Sequence, residues 1–262
     1  MHDEVVDAEF DQPVAAQGAQ RALDLANPDD EDVARQACEA AGYLRQRGDP
    51  HASHDMIAPL YRAWGDRLGP TARPTLWAAK HLAVALGDLG WWREAVALER
   101  ELHDHYVATY GDDHPDTLIA ANNLAIDLAE LGEYERAGAL AEDTLARRRR
   151  VLGEDHPATM DSAYYFTRVL ALLGEHERAR TLAEEVLTRA RRVLGNDHPD
   201  TLAAAYNLAR RLADLGEYER ARALTEDTLT RHRQVFGADD DPDPQEFVEL
   251  LQWLEEQADT GS

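Results

Sequence analysis

Cysteine is nearly absent from this chain. Cys38 is the only one, so no internal disulfide can form. Its position in a helix with apolar neighbours suits a buried small hydrophobe better than a reactive thiol. Lysine is as scarce. Lys80 stands alone among basic side chains that are otherwise arginine, a bias that fits a GC-rich bacterial genome. Positive charge is short overall: 27 Lys and Arg stand against 51 Asp and Glu, a formal net charge of −24. Such a chain repels nucleic acid and anionic membrane surfaces, so neither is expected as a partner. No apolar run approaches the ~20 residues needed to span a bilayer. The acidic N-terminal stretch has no apolar core of the kind a secretory signal carries, and cytoplasmic residence is the expectation. Signatures of chemistry are missing too. There is no Gly-rich phosphate loop, no Gly-x-Ser-x-Gly, no His-Glu-x-x-His and no Cys-x-x-Cys. Carboxylate pairs carry no information in a chain with 51 acids. No enzyme and no cofactor are expected.

What is present is a period of 42 residues. Gly111, Gly153, Gly195 and Gly237 stand at that interval, as do Gly48, Gly90, Gly132, Gly174 and Gly216. His114-Pro115, His156-Pro157 and His198-Pro199 align without a gap. Ala37, Ala79, Ala121, Ala163 and Ala205 form one apolar series, and Leu44, Leu86, Leu128, Leu170 and Leu212 another. The register defines five units: 27–68, 69–110, 111–152, 153–194 and 195–236. Its continuity argues for a single array. A period of this length is the mark of a stacked-repeat fold. Such folds present extended binding surfaces and rarely enclose a catalytic pocket.

Each unit reads as two helices. In the third, Pro115 suits a first helical position, with Asp113 or His114 as cap. Ala121, Leu124, Ala125 and Leu128 follow at helical spacing, and Gly132 ends the helix. A second helix carries Tyr134, Ala137, Leu140, Thr144 and Leu145 and stops at Gly153. Arg147 to Arg150 fall in its last turns, where cations suit the helix dipole. Because arginines recur there in the next two units, the run is expected to be a solvated helix end and not a nucleic-acid patch. The repeated histidines sit in successive loops, too far apart to share one metal ion, so no metal site is expected. Pro59 falls inside the second helix of unit one, where a kink is expected.

The flanks read as caps. Residues 1–12 are acidic and aperiodic, and disorder is expected there. Residues 13–26, with Val14, Leu23 and Leu25, suit a capping helix. From 237 to 262 the chain stays in phase as one more first helix and a tail. Phe247, Leu250, Leu251 and Leu254 take its inner positions, and Glu249, Glu255 and Glu256 face outward.

The pattern resembles the tetratricopeptide repeat, carried by Leu124, Ala125, Leu128, Gly132, Tyr134 and Ala137. The 42-residue length and the run of His114-Pro115-Asp116, Asn122-Asn123-Leu124-Ala125 and Gly132-Glu133-Tyr134 are similar to its kinesin light chain subtype. The resemblance is strong over 111–236, fair over 69–110 and weak over 27–68, where the His-Pro start is missing. It implies an all-α, right-handed superhelical solenoid of antiparallel helix pairs, with the first helix of each unit lining a concave groove. It further implies an interaction scaffold that takes an extended peptide or protein segment bearing acidic and aromatic or apolar residues. A second implication is a ligand-sensing or regulatory module of a larger bacterial signalling NTPase.

With the alanine and leucine series committed to packing, four positions per unit remain for that groove. Unit one offers Arg35, Cys38, Glu39 and Gly42, a weaker set. Unit two offers Trp77, Lys80, His81 and Val84; unit three offers Ile119, Asn122, Asn123 and Ile126. Unit four offers Asp161, Tyr164, Tyr165 and Arg168; unit five offers Ala203, Tyr206, Asn207 and Arg210. An Asn amide can donate to and accept from a peptide backbone. Tyrosines supply rigid apolar area with a polar tip. Lys80, Arg168 and Arg210 make this face cationic on an anionic protein. Trp91, at a turn, is a candidate for a second contact site, whereas Trp92 takes the Tyr134 position in the core.

Overall fold

The structure, a computed structural model, describes residues 31–236 and 245–260. The expectations for residues 1–26 lie outside the described residues. Every described element is a helix, and the described chain divides into two compact units, one ending at Leu131 and the other starting at Gly132. The first unit holds α1 (Glu31–Gln46), α2 (Pro50–Leu68), α3 (Arg73–Asp88), α4 (Trp92–Tyr110) and α5 (Pro115–Glu130). The second holds α6 (Tyr134–Leu152), α7 (Pro157–Leu172), α8 (His176–Leu194), α9 (Pro199–Asp214), α10 (Tyr218–Phe236) and α11 (Gln245–Thr260). From α1 to α10, the starts of equivalent helices recur every 42 residues.

The helix ends explain why the period is so strict. Proline forces the residue before it into extended backbone, and His114 adopts φ −70° and ψ 142°. Its ring Nδ1 then accepts the backbone N–H of Asp116 at 3.2 Å. His156 and His198 do the same for Ala158 and Asp200, at 3.1 and 3.2 Å. The histidines are therefore N-caps, which satisfy one of the orphan donors of the first turn. At the other end of α3, Gly90 has φ +74°, and the N–H of Trp91 returns to the Leu86 carbonyl at 2.9 Å. That closing bond needs a left-handed residue, which glycine adopts without a Cβ clash.

Within each unit the helices pack in chain order, each against the next. In the first, α1 also meets α3; in the second, α9 also meets α7 and α11. Small residues sit at the tightest approaches. Ala41, Ala78 and Ala95 in the first unit, and Ala137, Ala179 and Ala209 in the second, are fully buried. α2 runs on through Pro59. α11 buries Phe247 and Leu254 and exposes Glu249, Glu255 and Glu256. Cys38 is buried at 3% exposure, and burial pushes its thiol up to about 12.

The alanine series fixes how close the helices come. Ala163→Leu is expected to overpack α7 and cost about 1–3 kcal/mol. Thr188→Leu, on the exposed side of α8, is expected to change stability by less than about 0.5 kcal/mol. Urea denaturation of both variants checks the pair.

The arginine run at the end of α6 is not uniformly solvated. Arg147 pairs with Asp143, and Arg149 reaches Glu154 and Glu185. Arg148, however, is only 4% exposed. Its Nη1 donates to the Ala158 carbonyl at 2.7 Å and to the Ser162 hydroxyl at 2.9 Å. Burial lowers its pKa, against a partial offset from Asp161. Helical geometry turns one residue of four inward, and a guanidinium can follow if its donors find oxygens.

Candidate functional site

The second unit holds the more open arrangement. α7 presents Tyr164, Tyr165 and Arg168; α9 presents Tyr206, Asn207 and Arg210. All of these except Tyr165, together with Glu246 of α11, border a cavity of about 460 Å³. Arg168 and Arg210 are exposed, and Tyr164 and Tyr206 are half-buried. Tyr164 and Tyr165 meet edge to face at 5.4 Å. Tyr206 packs on Phe247 at 4.8 Å, so the C-terminal helix forms one wall. Arg210 hydrogen-bonds Tyr206, whose hydroxyl is nonetheless held above its ordinary range by burial. The Tyr164 hydroxyl is raised by burial too, with Arg168 opposing. Three arginines line this cavity against the carboxylates of Asp214 and Glu246.

Two of the expected contact residues are committed elsewhere. Asn207 is 3% exposed and its Nδ2 donates to the Thr167 hydroxyl. It serves as floor, bonded inside the protein, and is not a free backbone clamp. Asn123, in the first unit, donates its Nδ2 to Glu99 Oε1 at 3.0 Å. The cause is the same in both cases: an amide facing a helix interface bonds to the nearest buried acceptor.

The first unit keeps its expected residues on α3 and α5. Trp77 is half-buried against the core, with the Arg73 guanidinium 5.2 Å from its ring. His81 packs close to Gly42, and burial first, then Lys80 and Arg45, lowers its pKa. Ile119, Asn122 and Ile126 are half-buried. Lys80, Ile119 and Asn123 border a recess of only about 10 Å³ beside Glu99. Trp91 is 43% exposed and meets His54 edge to face at 5.0 Å, while Trp92 is half-buried.

Four buried charges escaped the sequence argument: Glu99, Asp127, Arg148 and Arg211, at 1%, 8%, 4% and 5% exposure. Burial pushes Glu99 up to about 8, with Asp127 adding to it and the Asn123 bond and Lys80 opposing. Burial pushes Asp127 up to about 7, and Glu130 and Asp88 add to that. Arg211 reaches Asp214 at 3.4 Å, and its Nε has no hydrogen-bond partner among the described residues. A signal for them exists. Each interrupts a series whose other members are mostly apolar: Ile57, Glu99, Ala141, Ala183, Thr225, for example, or Ala85, Asp127, Val169, Arg211. The polar partner also breaks its own series, as Ser162 and Thr167 do among alanines.

Helix pairs stacked at a 42-residue interval define the class of helical-repeat proteins. The sequence profile of the tetratricopeptide repeat matches residues 75–116 and 117–158, and a second profile of the same repeat matches 168–234. The chain belongs to the tetratricopeptide repeat family. Its structure is similar to the nearly identical TPR-like repeats of a kinesin light chain-type protein from Podosopora anserina. The TM-score there is 0.67 at 24% identity, over 77% of this chain and 95% of that one. BtubC (BKLC) from P. vanneervenii gives 0.66 at 17% identity, over 88% and 92%. A Rap protein complexed with competence and sporulation factor gives 0.61 at 13%, over 96% and 78%. At these identities the likeness shows the fold. No curated protein matches the sequence. Among the described residues no helix is long and apolar enough to cross a membrane.

Proposed function

We propose that the chain is a non-catalytic interaction scaffold whose second unit binds an extended peptide carrying acidic and aromatic or apolar residues. The carrying observation is the 460 Å³ cavity bordered by Tyr164, Arg168, Tyr206 and Arg210. In a chain of net charge −24, cations gathered at one opening favour a carboxylate that the rest of the surface repels. Tyrosine faces supply apolar contact at small entropic cost. Glu246, on the wall, belongs to the same balance: it partly neutralises the arginines while no ligand is bound. The fold supports the reading, since Rap proteins of the same architecture have been solved with competence and sporulation factor and with the Phr* peptide.

The test is selection from a displayed library of random dodecapeptides. Wild-type protein is expected to enrich sequences rich in Asp and Glu next to Tyr, Phe or Trp. Arg168→Glu with Arg210→Glu is expected to bind those peptides at least tenfold more weakly, and wild-type affinity is expected to fall with salt. Enrichment of the same peptides by both proteins would place recognition elsewhere, on the outer helices or at the Trp91 turn.

A further inference from the structure

One buried position differs among the repeats in a way that leaves space. Trp64, Tyr106, Arg148, Ala190 and His232 stand at 42-residue intervals, and each is at most 9% exposed. Four of them are large. Ala190 is not, and a cavity of about 240 Å³ adjoins it between α7, α8 and α9. Met160, Tyr164, Tyr165, Val186, Ala190 and Leu194 line its apolar part. Asp161 and Asp200 line its polar edge and are exposed, as is Ala203, so the cavity reaches the surface.

Size and charge select the occupant. An apolar cavity of about 150 Å³ already holds benzene, so this one admits an aromatic ring or a branched alkyl group. An anion would face Asp161 and Asp200 together. A neutral occupant would desolvate them without a partner. A positive charge beside the apolar body meets both carboxylates, with two tyrosines in the same lining. The Arg148 guanidinium lies close enough to act on Asp161, but it is bonded to the Ala158 carbonyl and Ser162.

We infer that the cavity beside Ala190 is a binding pocket for an apolar group bearing an adjacent positive charge, within a peptide an apolar residue next to a cation. The peptide setting rests on the function proposed above; the chemistry of the pocket does not. Tyr164 lines this pocket and also the arginine-lined cavity. A bound segment therefore places its apolar, cationic part against α8 and its acidic part against Arg168 and Arg210. The two openings read opposite charges and fix the direction of the peptide.

Methionine is rare enough to report on this. The chain has three, and Met160 lines the pocket. The experiment is a methyl-13C-methionine NMR titration of the full chain with phenethylammonium, and with 3-phenylpropionate as the anion of matched apolar body. A saturable shift of the Met160 signal is expected with phenethylammonium, with apparent affinity at least tenfold weaker for phenylpropionate. Asp161→Asn is expected to weaken the ammonium about three- to tenfold. Ala190→Trp is expected to abolish the response, because it restores the bulk that Trp64 carries in its own repeat; Ala190→Leu is the smaller substitute, expected to weaken it, should tryptophan perturb folding. An unmoved Met160 signal, equal affinity for both probes, or a response that survives Ala190→Trp in folded protein would overturn the assignment. Loss of this response with intact acidic-peptide binding at Arg168 and Arg210 would sink the pocket alone. The reverse outcome would sink the proposed function and leave the pocket.

Discussion

Arg148→Glu is expected to destabilise the second unit by about 3–5 kcal/mol, whereas Arg150→Glu, two residues on, changes it by less than about 0.5 kcal/mol. The difference lies in what each side chain touches. Arg148 is 4% exposed and supplies donors to the Ala158 carbonyl and the Ser162 hydroxyl at the start of α7. A carboxylate there would face a carbonyl oxygen and the nearby Asp161, with no cation to offset its buried charge. Arg150 is exposed. Hydrogen exchange of the α6–α8 amides is the measurement, since it resolves units that need not unfold together. Arg148→Met is the informative intermediate, because it keeps the stem and removes the charge. It is expected to cost less than the glutamate. Equal protection in the glutamate variant and the wild type would mean that Arg148 is not held inside.

Glu99→Gln is expected to stabilise the first unit by about 2–4 kcal/mol at pH 8 and to leave it unchanged at pH 4.5. Glu99 has its pKa raised to about 8 from an ordinary value of 4.5. Between those values the folded chain binds a proton that the unfolded chain has released. Stability therefore falls as pH climbs through that window, and is fully present below it. Asp127, raised to about 7, acts in the same direction. Glutamine keeps an oxygen for the Asn123 amide without a charge to bury. The check is thermal unfolding of both proteins from pH 4.5 to 8. A glutamine variant less stable than wild type at pH 8 would show that Lys80 compensates an ionised Glu99.

The fold was legible because its determinants are local and repeated. A His-Pro start, an alanine at each close approach and a glycine with positive φ recur at the same offsets, and each acts within a few residues of itself. The candidate site was legible only in outline. Periodicity says which helix face a residue lies on, and Tyr164, Arg168, Tyr206 and Arg210 line one opening. It does not say how deep a side chain sits. Asn207 and Arg211 adjoin the half-buried Tyr206 and exposed Arg210 in sequence, yet bond inward, because Thr167 of the preceding repeat offers its hydroxyl and carbonyl oxygens. The pocket beside Ala190 was invisible for a related reason. Alanine is unremarkable in a helix, and only the comparison with Trp64, Tyr106 and His232 at the same depth turns it into missing volume.

Arg168 and Arg210 are proposed to read acidic residues of a bound peptide, and a charge swap decides between this and recognition elsewhere. A peptide selected by the wild-type protein is synthesised in two forms, one with its Asp and Glu residues intact and one with each replaced by Lys. Both are titrated by calorimetry against the wild type and against Arg168→Glu with Arg210→Glu. Wild type is expected to bind the acidic form at least tenfold more tightly than the basic one, and the double variant is expected to reverse that order. Binding of the acidic form to both proteins within about twofold, about 0.4 kcal/mol, would rule out that role for Arg168 and Arg210.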